Sequence, residues 1–205
     1  MIFVTKVILV RHGQTFWNLE LKYQGHSDIA LTDLGINQAK QVADRLSTEN
    51  ISAVYASDLS RAYHTAEFIA HKHKLAVVAM PEFREISFGQ WEGLNYNKIN
   101  DHWPEVMSKL FTHPDEIRIP GGETFRELKE RSQSAIERLI AKHEDDTIVI
   151  VSHGGTIRTL LCAALDIHLN RVWNIKQDNT AVNIVEYYPD RTMVALVNDT
   201  HHLKS

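Results

Sequence analysis

The sequence predicts an α/β fold, a three-layer αβα sandwich built on a mostly parallel central sheet. Two stretches, 7–10 and 148–151, are apolar at every position, as strands are when helices cover both faces of a sheet. Amphipathic segments with helical spacing follow the early strands. Segment 81–122 interrupts this alternation, and we predict that it is a helical insertion over the carboxyl ends of the strands.

The first strand, 7–10, leads into a polar segment, 16–30, that we predict to be irregular. A helix then begins with Thr32 or Asp33 as its N-cap, because these side chains accept hydrogen bonds from the first turn. Its apolar face follows helical spacing and contains Ala39, Val42, Ala43 and Leu46.

The second strand covers 51–57, and Ser57 or Asp58 is the predicted N-cap of the next helix. The apolar face of that helix contains Ala62, Thr65, Ala66, Ile69 and Ala70. A third strand, 75–80, ends at Pro81. The order strand, helix, strand, helix, strand implies parallel crossovers with helices on both faces.

Segment 81–122 contains four prolines and a short apolar pattern. Its position beside the carboxyl ends of the strands, where α/β sheets bind ligands, predicts a lid over a ligand-binding crevice. The remaining elements are a helix over about 123–143, a strand at 147–152, a helix through 157–165 and a hairpin of 181–188 with 192–198. The economical reading is one domain, 1–205, that carries the insertion.

Composition restricts the function. A net charge of -4 argues against binding to nucleic acid. The single cysteine, Cys162, excludes an intrachain disulfide and fits a reducing compartment. Residues 1–6 do not resemble a signal peptide, and no apolar run is long enough to span a bilayer. We therefore expect a cytoplasmic protein, a monomer or a homodimer, without membrane association.

Two apolar strands each end in a His-Gly pair. Arg11, His12 and Gly13 follow the first strand, and His153 with Gly154 follows the strand at 147–152. Ligands of open α/β sheets bind at the carboxyl ends of strands. If the two strands are neighbours, both imidazoles face one crevice. A single histidine at a strand end is more often structural, but here its neighbours suggest an oxyanion site.

Neighbouring residue types favour phosphate over a metal. Arginine forms bidentate contacts with tetrahedral oxyanions, and fixed positive charge keeps an imidazole neutral and nucleophilic. Thr15 and Asn18 add neutral donors. Arg61 is either a surface helix residue or a second phosphate clamp. A metal centre has no support from spacing, because the close histidine pairs are His71 with His73 and His201 with His202.

The sequence resembles the histidine phosphatase superfamily, the phosphoglycerate-mutase-like fold, over nearly its whole length. Five blocks occur in the order of that family: Leu9-Val10-Arg11-His12-Gly13-Gln14-Thr15 with Asn18, then Leu31-Thr32-Asp33-Leu34-Gly35, then Ser57-Asp58-Leu59-Ser60-Arg61-Ala62, then Arg84-Glu85-Ile86-Ser87-Phe88-Gly89-Gln90-Trp91-Glu92-Gly93, and finally Ser152-His153-Gly154-Gly155. Any one block alone is a weak signal.

The resemblance implies a role for each matching residue. His12 would be the nucleophile that becomes a phosphohistidine, and Glu85 the general acid and later the base. Arg11, Arg61 and His153 would hold the phosphoryl oxygens, with Asn18 supporting them. A ring of cations stabilises the charge of the transition state without a metal, so no cofactor is expected. The alternative for Glu85 is a non-catalytic role as an exposed partner of Arg84.

Departures from the glycolytic mutases favour a phosphatase. Gly155 stands where those enzymes carry asparagine, and the segment after Glu85 lacks their basic residues. The chain is similar to α-ribazole, broad-specificity and metal-independent phosphoserine phosphatases, so we expect a small phosphomonoester such as α-ribazole 5′-phosphate or a broad range. A mutase or a non-catalytic phospho-ligand-binding protein is the alternative. Candidates for the substrate pocket are Trp17, Asn18, Gln24, Gly25, His26, Trp91, Gly122, Glu123, Gly154, His201 and His202.

Overall fold

The computed structural model describes residues 4–204. Residues 1–3 and 205 lie outside it, so half of the N-terminal segment considered above is not described. Within the described residues the strands are β1 (Thr5–Arg11), β2 (Ile51–Ala56), β3 (Val77–Ala79), β4 (Thr147–Ser152), β5 (Val182–Tyr187) and β6 (Thr192–Asp199). The helices are α1 (Phe16–Leu19), α2 (Asp33–Leu46), α3 (Ser60–His73), α4 (Tyr96–His102), α5 (Pro104–Thr112), α6 (Phe125–Lys142) and α7 (Gly154–Ala164).

Four short 3₁₀ segments complete the secondary structure of residues 4–204. They cover Pro81–Phe83, Gly89–Trp91, Leu169–Asn174 and His201–Leu203. The first two flank Glu85, and the third follows α7. The last one closes the described part of the chain beyond β6.

The six strands form one sheet in the order β3-β2-β4-β1-β5-β6. β1, β2, β3 and β4 are parallel to one another. β5 is antiparallel to both of its neighbours, β1 and β6. β1 and β4 lie side by side with Arg11 opposite Ser152. The sequence did not decide whether β1 and β4 are neighbours. Their adjacency brings the two His-Gly pairs to the same edge of the sheet.

Helices cover both faces of the sheet, which confirms the predicted αβα architecture. Alternate residues of β1 point to opposite faces. Ile8 and Val10 pack in a cluster with the apolar residues of α2 and α3, whereas Val7 and Leu9 pack in a second cluster with those of α6 and α7. This double burial explains why the strand is apolar throughout.

Segment 81–122 contributes to a third hydrophobic cluster. Ile86, Trp91, Ile99 and Leu110 are completely buried there, together with residues of α6 and α7. The predicted insertion is therefore present as 3₁₀ turns and two helices with a buried apolar face. Its action as a lid stays a prediction.

Local boundaries differ from the sequence prediction at a few points. The segment predicted to be irregular contains α1, whose N-cap Thr15 and residue Asn18 form a capping box. The prediction of Ser57 or Asp58 as the cap of α3 is wrong. Leu59 occupies that position without a side-chain bond, because the Asp58 carboxylate instead pairs with the Arg84 guanidinium at 2.7 and 2.5 Å.

The lengths of other elements also changed. β3 is shorter than the predicted 75–80, because only three residues pair with β2. Thr124 caps α6, with Glu127 completing the capping box, so the helix begins two residues later than predicted. No helix among residues 4–204 is long and apolar enough to cross a bilayer.

Candidate active site

His12 lies directly after β1 and is only 3% exposed. Its ring nitrogen Nδ1 lies 2.7 Å from the carbonyl oxygen of Gly13. Because a carbonyl only accepts, Nδ1 carries the proton, and the lone pair of Nε2 is left for a ligand. The carbonyl oxygen of His12 accepts a hydrogen bond of 3.0 Å from Asn179 Nδ2. The backbone therefore holds this imidazole in the nucleophilic tautomer.

His153 follows β4, and its ring centroid lies 5.1 Å from that of His12. The side chain is completely buried, and neither ring nitrogen has a hydrogen-bond partner among residues 4–204. Buried polar atoms without partners are costly. A bound oxyanion would supply the missing partner.

Two arginines flank the histidines. Arg11 Nη1 donates to the Gln177 carbonyl at 2.7 Å. Arg61 donates from Nη1 to the Ser27 carbonyl at 2.8 Å and from Nη2 to the Gly25 carbonyl at 2.7 Å. Arg61 is completely buried and lines the cavity, so the surface reading of this residue is wrong.

The Nε atoms of Arg11 and Arg61 are further hydrogen-bond donors beside the histidines. Both Nε atoms are buried without a partner in the described chain. Burial lowers the pKa of Arg11 to about 10 and has the same effect on Arg61. Both guanidinium groups thus stay charged at neutral pH, with Nε donors that no described residue uses.

The same charges keep the histidines neutral. Burial, followed by the positive charges of Arg61 and Arg11, holds the pKa of His12 well below its usual range. Burial and Arg61 likewise depress the pKa of His153. A neutral imidazole next to fixed cations suits attack on an anionic phosphoryl group.

Glu85 is held against the first turn of α7. Its Oε2 accepts a hydrogen bond of 2.9 Å from the backbone N–H of Gly155, and its Oε1 accepts one of 3.1 Å from Thr156. The Thr156 hydroxyl donates to the carbonyl of Arg84 at 2.8 Å. Glu85 lines the cavity, whereas Arg84 pairs with Asp58 instead, so the alternative of an exposed Arg84–Glu85 pair is wrong.

Arg131 of α6 fixes the segment that carries Glu85. Its guanidinium donates to three backbone carbonyls, those of Glu82 at 2.7 Å, Arg84 at 2.9 Å and Glu85 at 2.8 Å. It also forms two hydrogen bonds of 2.9 Å with the carboxylate of Glu123. The sequence did not reveal this role, because Arg131 lies among other charged residues of an amphipathic helix.

Asn18, Gln24 and Gly25 lie where the sequence predicted, at the cavity. Asn18 Oδ1 accepts from the Thr15 backbone N–H at 3.0 Å, which leaves its amide N–H groups to a ligand. Gln24 Oε1 accepts from the Thr15 hydroxyl at 2.9 Å. Gly25 adopts a positive φ of 54°, and its carbonyl accepts from Arg61.

Several predicted pocket residues lie elsewhere. Trp91 is completely buried in the third cluster, where its ring stacks at 6.5 Å from that of Phe88, because an indole stabilises a core through its large apolar surface. His201 is exposed in the last 3₁₀ segment. The predicted pocket residues that do not line the cavity are Trp17, His26, Trp91, Gly122, Glu123, His201 and His202. His153 does not line it either, and its ring lies behind that of His12 at 5.1 Å between centroids.

The cavity encloses about 330 Å³. Its polar lining includes Arg11, His12, Asn18, Gln24, Arg61, Glu85 and Gly154. The aromatic lining residues, which we call the aromatic wall, are Tyr23, Phe88, Tyr96, Phe125 and Trp173. Sequence reasoning missed most of this wall and also Arg158, because these residues come from segments that carry no recognisable motif.

No group of three His, Cys, Asp or Glu side chains within residues 4–204 is arranged to hold a metal ion. The donors that converge on the cavity are guanidinium, imidazole and amide groups, which suit an oxyanion rather than a cation. That the site works without a metal stays a prediction.

Comparison with known proteins shows the family to which the chain is similar. The model of the histidine phosphatase superfamily (branch 1) matches residues 7–200. Phosphoglycerate mutase-like protein 4 of Arabidopsis thaliana is 39% identical over 203 residues, which cover 97% of this chain and 87% of the relative. Phosphoserine phosphatase 1 of Hydrogenobacter thermophilus is 32% identical over 200 residues, with 98% and 95% covered.

Solved structures share the fold. YhfR of Bacillus stearothermophilus superposes with a TM-score of 0.93 at 31% identity and covers 98% of this chain and 100% of its own. A phosphoserine phosphatase mutant from Entamoeba histolytica, in complex with phosphoserine, superposes with a TM-score of 0.87 at 31% identity, with 97% and 99% covered.

Proposed function

The chain belongs to branch 1 of the histidine phosphatase superfamily and is a phosphatase, and we propose that it hydrolyses small phosphomonoesters through a phosphohistidine formed on His12. The observation that carries this proposal is the hydrogen bond from His12 Nδ1 to the Gly13 carbonyl. It presents Nε2 as the nucleophile near two guanidinium groups whose Nε donors have no partner among residues 4–204.

In the first step Nε2 of His12 attacks phosphorus, and the bond between phosphorus and the ester oxygen breaks. The leaving oxygen takes a proton from the carboxyl group of Glu85, so the alcohol departs neutral. Arg11, Arg61 and His153 bind the three phosphoryl oxygens and stabilise the charge that spreads over them in the transition state.

In the second step a water molecule attacks phosphorus and gives its proton to the Glu85 carboxylate. The bond between phosphorus and Nε2 breaks, inorganic phosphate leaves, and His12 returns to its neutral form. Asn18 supports the phosphoryl group through its amide. His12 and Glu85 therefore serve both steps, and Glu85 changes from acid to base between them.

The geometry around Gly155 supports hydrolysis over mutase activity. A β-carbon on residue 155 would lie 2.5 Å from Oε1 of Glu85. With Glu85 in its present position, residue 155 cannot offer a side chain to a second phosphorylated ligand. This supports water as the acceptor of the phosphoryl group.

The substrate proposal is a small phosphorylated metabolite. The cavity of about 330 Å³ is small for an extended ligand, and the aromatic wall offers apolar contact to the leaving group. The candidates to compare are α-ribazole 5′-phosphate, phosphoserine, 3-phosphoglycerate and p-nitrophenyl phosphate. One ester far above the others in kcat/KM indicates a dedicated enzyme, and a flat profile indicates a broad-specificity phosphatase.

The experiment measures phosphate release and the covalent intermediate in EDTA. With ³²P-labelled substrate and an alkaline quench, the wild-type protein should carry label, and an acid quench should remove it. His12→Asn should abolish both label and turnover while its circular dichroism stays unchanged. The exposed His71 provides a control, since His71→Asn should behave like the wild type.

Turnover by His12→Asn would refute the proposal, as would activity that EDTA abolishes and a metal restores. Label without phosphate release, together with transfer of phosphate to a second phosphoglycerate, would instead identify a mutase. Binding without label or turnover would identify a phospho-ligand-binding protein.

A further inference from the structure

Arg158 is a cationic residue of the cavity to which the proposed mechanism gives no role. It lies on α7, five residues after His153, and it lines the cavity. Its Nε donates to the Ile175 carbonyl at 2.8 Å, and its guanidinium carbon lies 5.4 Å from the centre of the Trp173 ring. The backbone contact and the ring thus fix the orientation of the guanidinium.

The remaining donors of Arg158 have no partner within residues 4–204. Neither Nη1 nor Nη2 forms a hydrogen bond there, and no carboxylate of those residues lies within ion-pair distance. The carboxylates of Glu85 and Asp178 act on this guanidinium only from beyond ion-pair distance. Its two Nη atoms remain available to a ligand in the cavity.

Arg158 also lies close to another guanidinium. Nη1 of Arg158 lies 2.9 Å from the point that a β-carbon on Gly154 would occupy, and Nε of Arg11 lies 3.5 Å from the same point. Burial, followed by the positive charge of Arg158, lowers the pKa of Arg11. Two cations that repel each other beside one cavity are stabilised by a ligand with more than one anionic group.

The position of Arg158 indicates which part of the substrate it meets. The general acid must lie beside the leaving oxygen, and Glu85 contacts Gly155 and Thr156 in the first turn of α7. Arg158 approaches that same turn at Gly154. Arg11, which the mechanism assigns to the phosphoryl group, approaches Gly154 as well, whereas Arg158 also packs against Trp173 of the aromatic wall. We therefore place Arg158 on the leaving-group side.

We propose that Arg158 binds a carboxylate on the leaving group, so that the preferred substrates are phosphomonoesters of small hydroxy acids. A planar guanidinium with two Nη donors matches a carboxylate in bidentate geometry. The aromatic wall beside it limits the length of the acid. This inference rests on the proposed hydrolysis and adds a specificity residue to it.

The test compares pairs of esters that differ at the carboxylate. Phosphoserine is paired with phosphoethanolamine, which lacks that group, and 3-phosphoglycerate is paired with glycerol 3-phosphate. The selectivity, the ratio of kcat/KM within a pair, is measured for the wild type, Arg158→Gln and Arg158→Lys. Arg126→Gln, an exposed charge change on α6, is the matched control.

We expect Arg158→Gln to reduce the selectivity for the acid by about 10- to 100-fold, as loss of a charge-assisted hydrogen bond does. The loss should appear mainly in KM, because the contact is made in the ground state as well. Arg158→Lys should recover part of it, and Arg126→Gln should change neither ratio. A ratio that Arg158→Gln leaves unchanged would overturn the proposal. If kcat/KM also falls equally for both esters of a pair, Arg158 is assigned to the phosphoryl group instead.

Failure of the proposed hydrolysis is detected separately. In the His12→Asn background, calorimetric titration measures binding of phosphoserine and phosphoethanolamine without turnover. Arg158→Gln should remove the advantage of phosphoserine there too. If the wild type releases no phosphate from any ester but this binding difference is present, the hydrolysis is wrong and the carboxylate site stands. If the difference is absent, the carboxylate site is wrong.

Discussion

The backbone N–H of Gly155 donates a hydrogen bond of 2.9 Å to the carboxylate of Glu85. This contact joins the general acid of the proposed mechanism to the helix that begins directly after His153. The acid and the second histidine therefore share one structural support. A shift of the first turn of α7 moves both of them.

Gly155→Ala should disturb the acid selectively. The new β-carbon would lie 2.5 Å from Glu85 Oε1, so the carboxyl group must move. We expect kcat for phosphoserine to fall by about 100-fold, the cost typical of a misplaced catalytic group. Turnover of p-nitrophenyl phosphate should fall much less. Equal rates of the variant and the wild type on phosphoserine would contradict this contact.

Glu85→Gln should slow alkyl phosphates far more than p-nitrophenyl phosphate. An alkoxide needs a proton to leave, and general acid catalysis contributes about 10²–10⁴-fold to such steps. The p-nitrophenolate ion leaves with little assistance. Steady-state kinetics with both esters measure the difference. Similar losses on both would remove Glu85 from the role of proton donor.

Arg131→Lys should act as a positioning variant. Lysine keeps the charge but cannot donate to the carbonyls of Glu82, Arg84 and Glu85 at once. We expect kcat for phosphoserine to fall about tenfold or more with KM little changed, because a displaced acid affects the chemical step. p-Nitrophenyl phosphate again provides the comparison. A uniform loss on both esters would point to general destabilisation instead.

Acidification should destabilise the fold through His12 and His153. Their pKa values lie well below the ordinary value, so the unfolded chain binds more protons once the pH falls below about 6.5. This penalty is absent above that pH. Each histidine should lower the free energy of unfolding by roughly 1.4 kcal/mol per pH unit.

Urea denaturation in phosphate-free buffer between pH 7.5 and 5 measures this slope. His12→Asn removes one titrating group. The slope of its free energy of unfolding against pH should therefore be smaller by the contribution of one histidine. Identical slopes for the variant and the wild type would show that His12 is not neutral in the folded protein. Added phosphate should reduce the loss, because a ligand of the folded state stabilises it.

Trp91 should contribute to stability rather than to substrate choice. Its side chain is completely buried in the third cluster, and truncation of a buried tryptophan costs about 3–5 kcal/mol. Trp91→Ala should lower the free energy of unfolding by that amount. Trp91→Phe should retain the fold and leave the KM values of the substrate panel unchanged. A change of selectivity in Trp91→Phe would return this residue to the pocket.

The sequence predicted the strands and several of the side chains that the structure brings together beside the cavity, and the reason is physical. Strands buried on both faces must be apolar throughout, so β1 and β4 stand out as short runs. The chemistry at their ends is local, because Arg11 and His12 are adjacent in sequence. The resemblance to a family added Arg61 and Glu85, which no local pattern alone assigns to the cavity.

Residues that act through distant contacts could not be predicted. Arg131 holds Glu85 across 46 positions of the chain, and on a helix surface it looks like any solvated charge. Trp91 lies in a segment with a strong motif, but the motif does not show whether the indole faces the cavity or the core. Such questions depend on packing, which the sequence specifies only through the whole fold.

The three hydrogen bonds from Arg131 attach the acid-bearing turn to α6 rather than to the helices that come after it in the insertion. Residues 94–118 can therefore be regarded as a cassette that reaches the cavity through Tyr96 and is joined to the rest of the fold through the third hydrophobic cluster, to which Ile99 and Leu110 belong. We expect chimaeras that exchange this cassette between relatives to acquire new selectivity while they retain the rate of the phosphoryl chemistry. An evolving lineage could change its substrate by the same route.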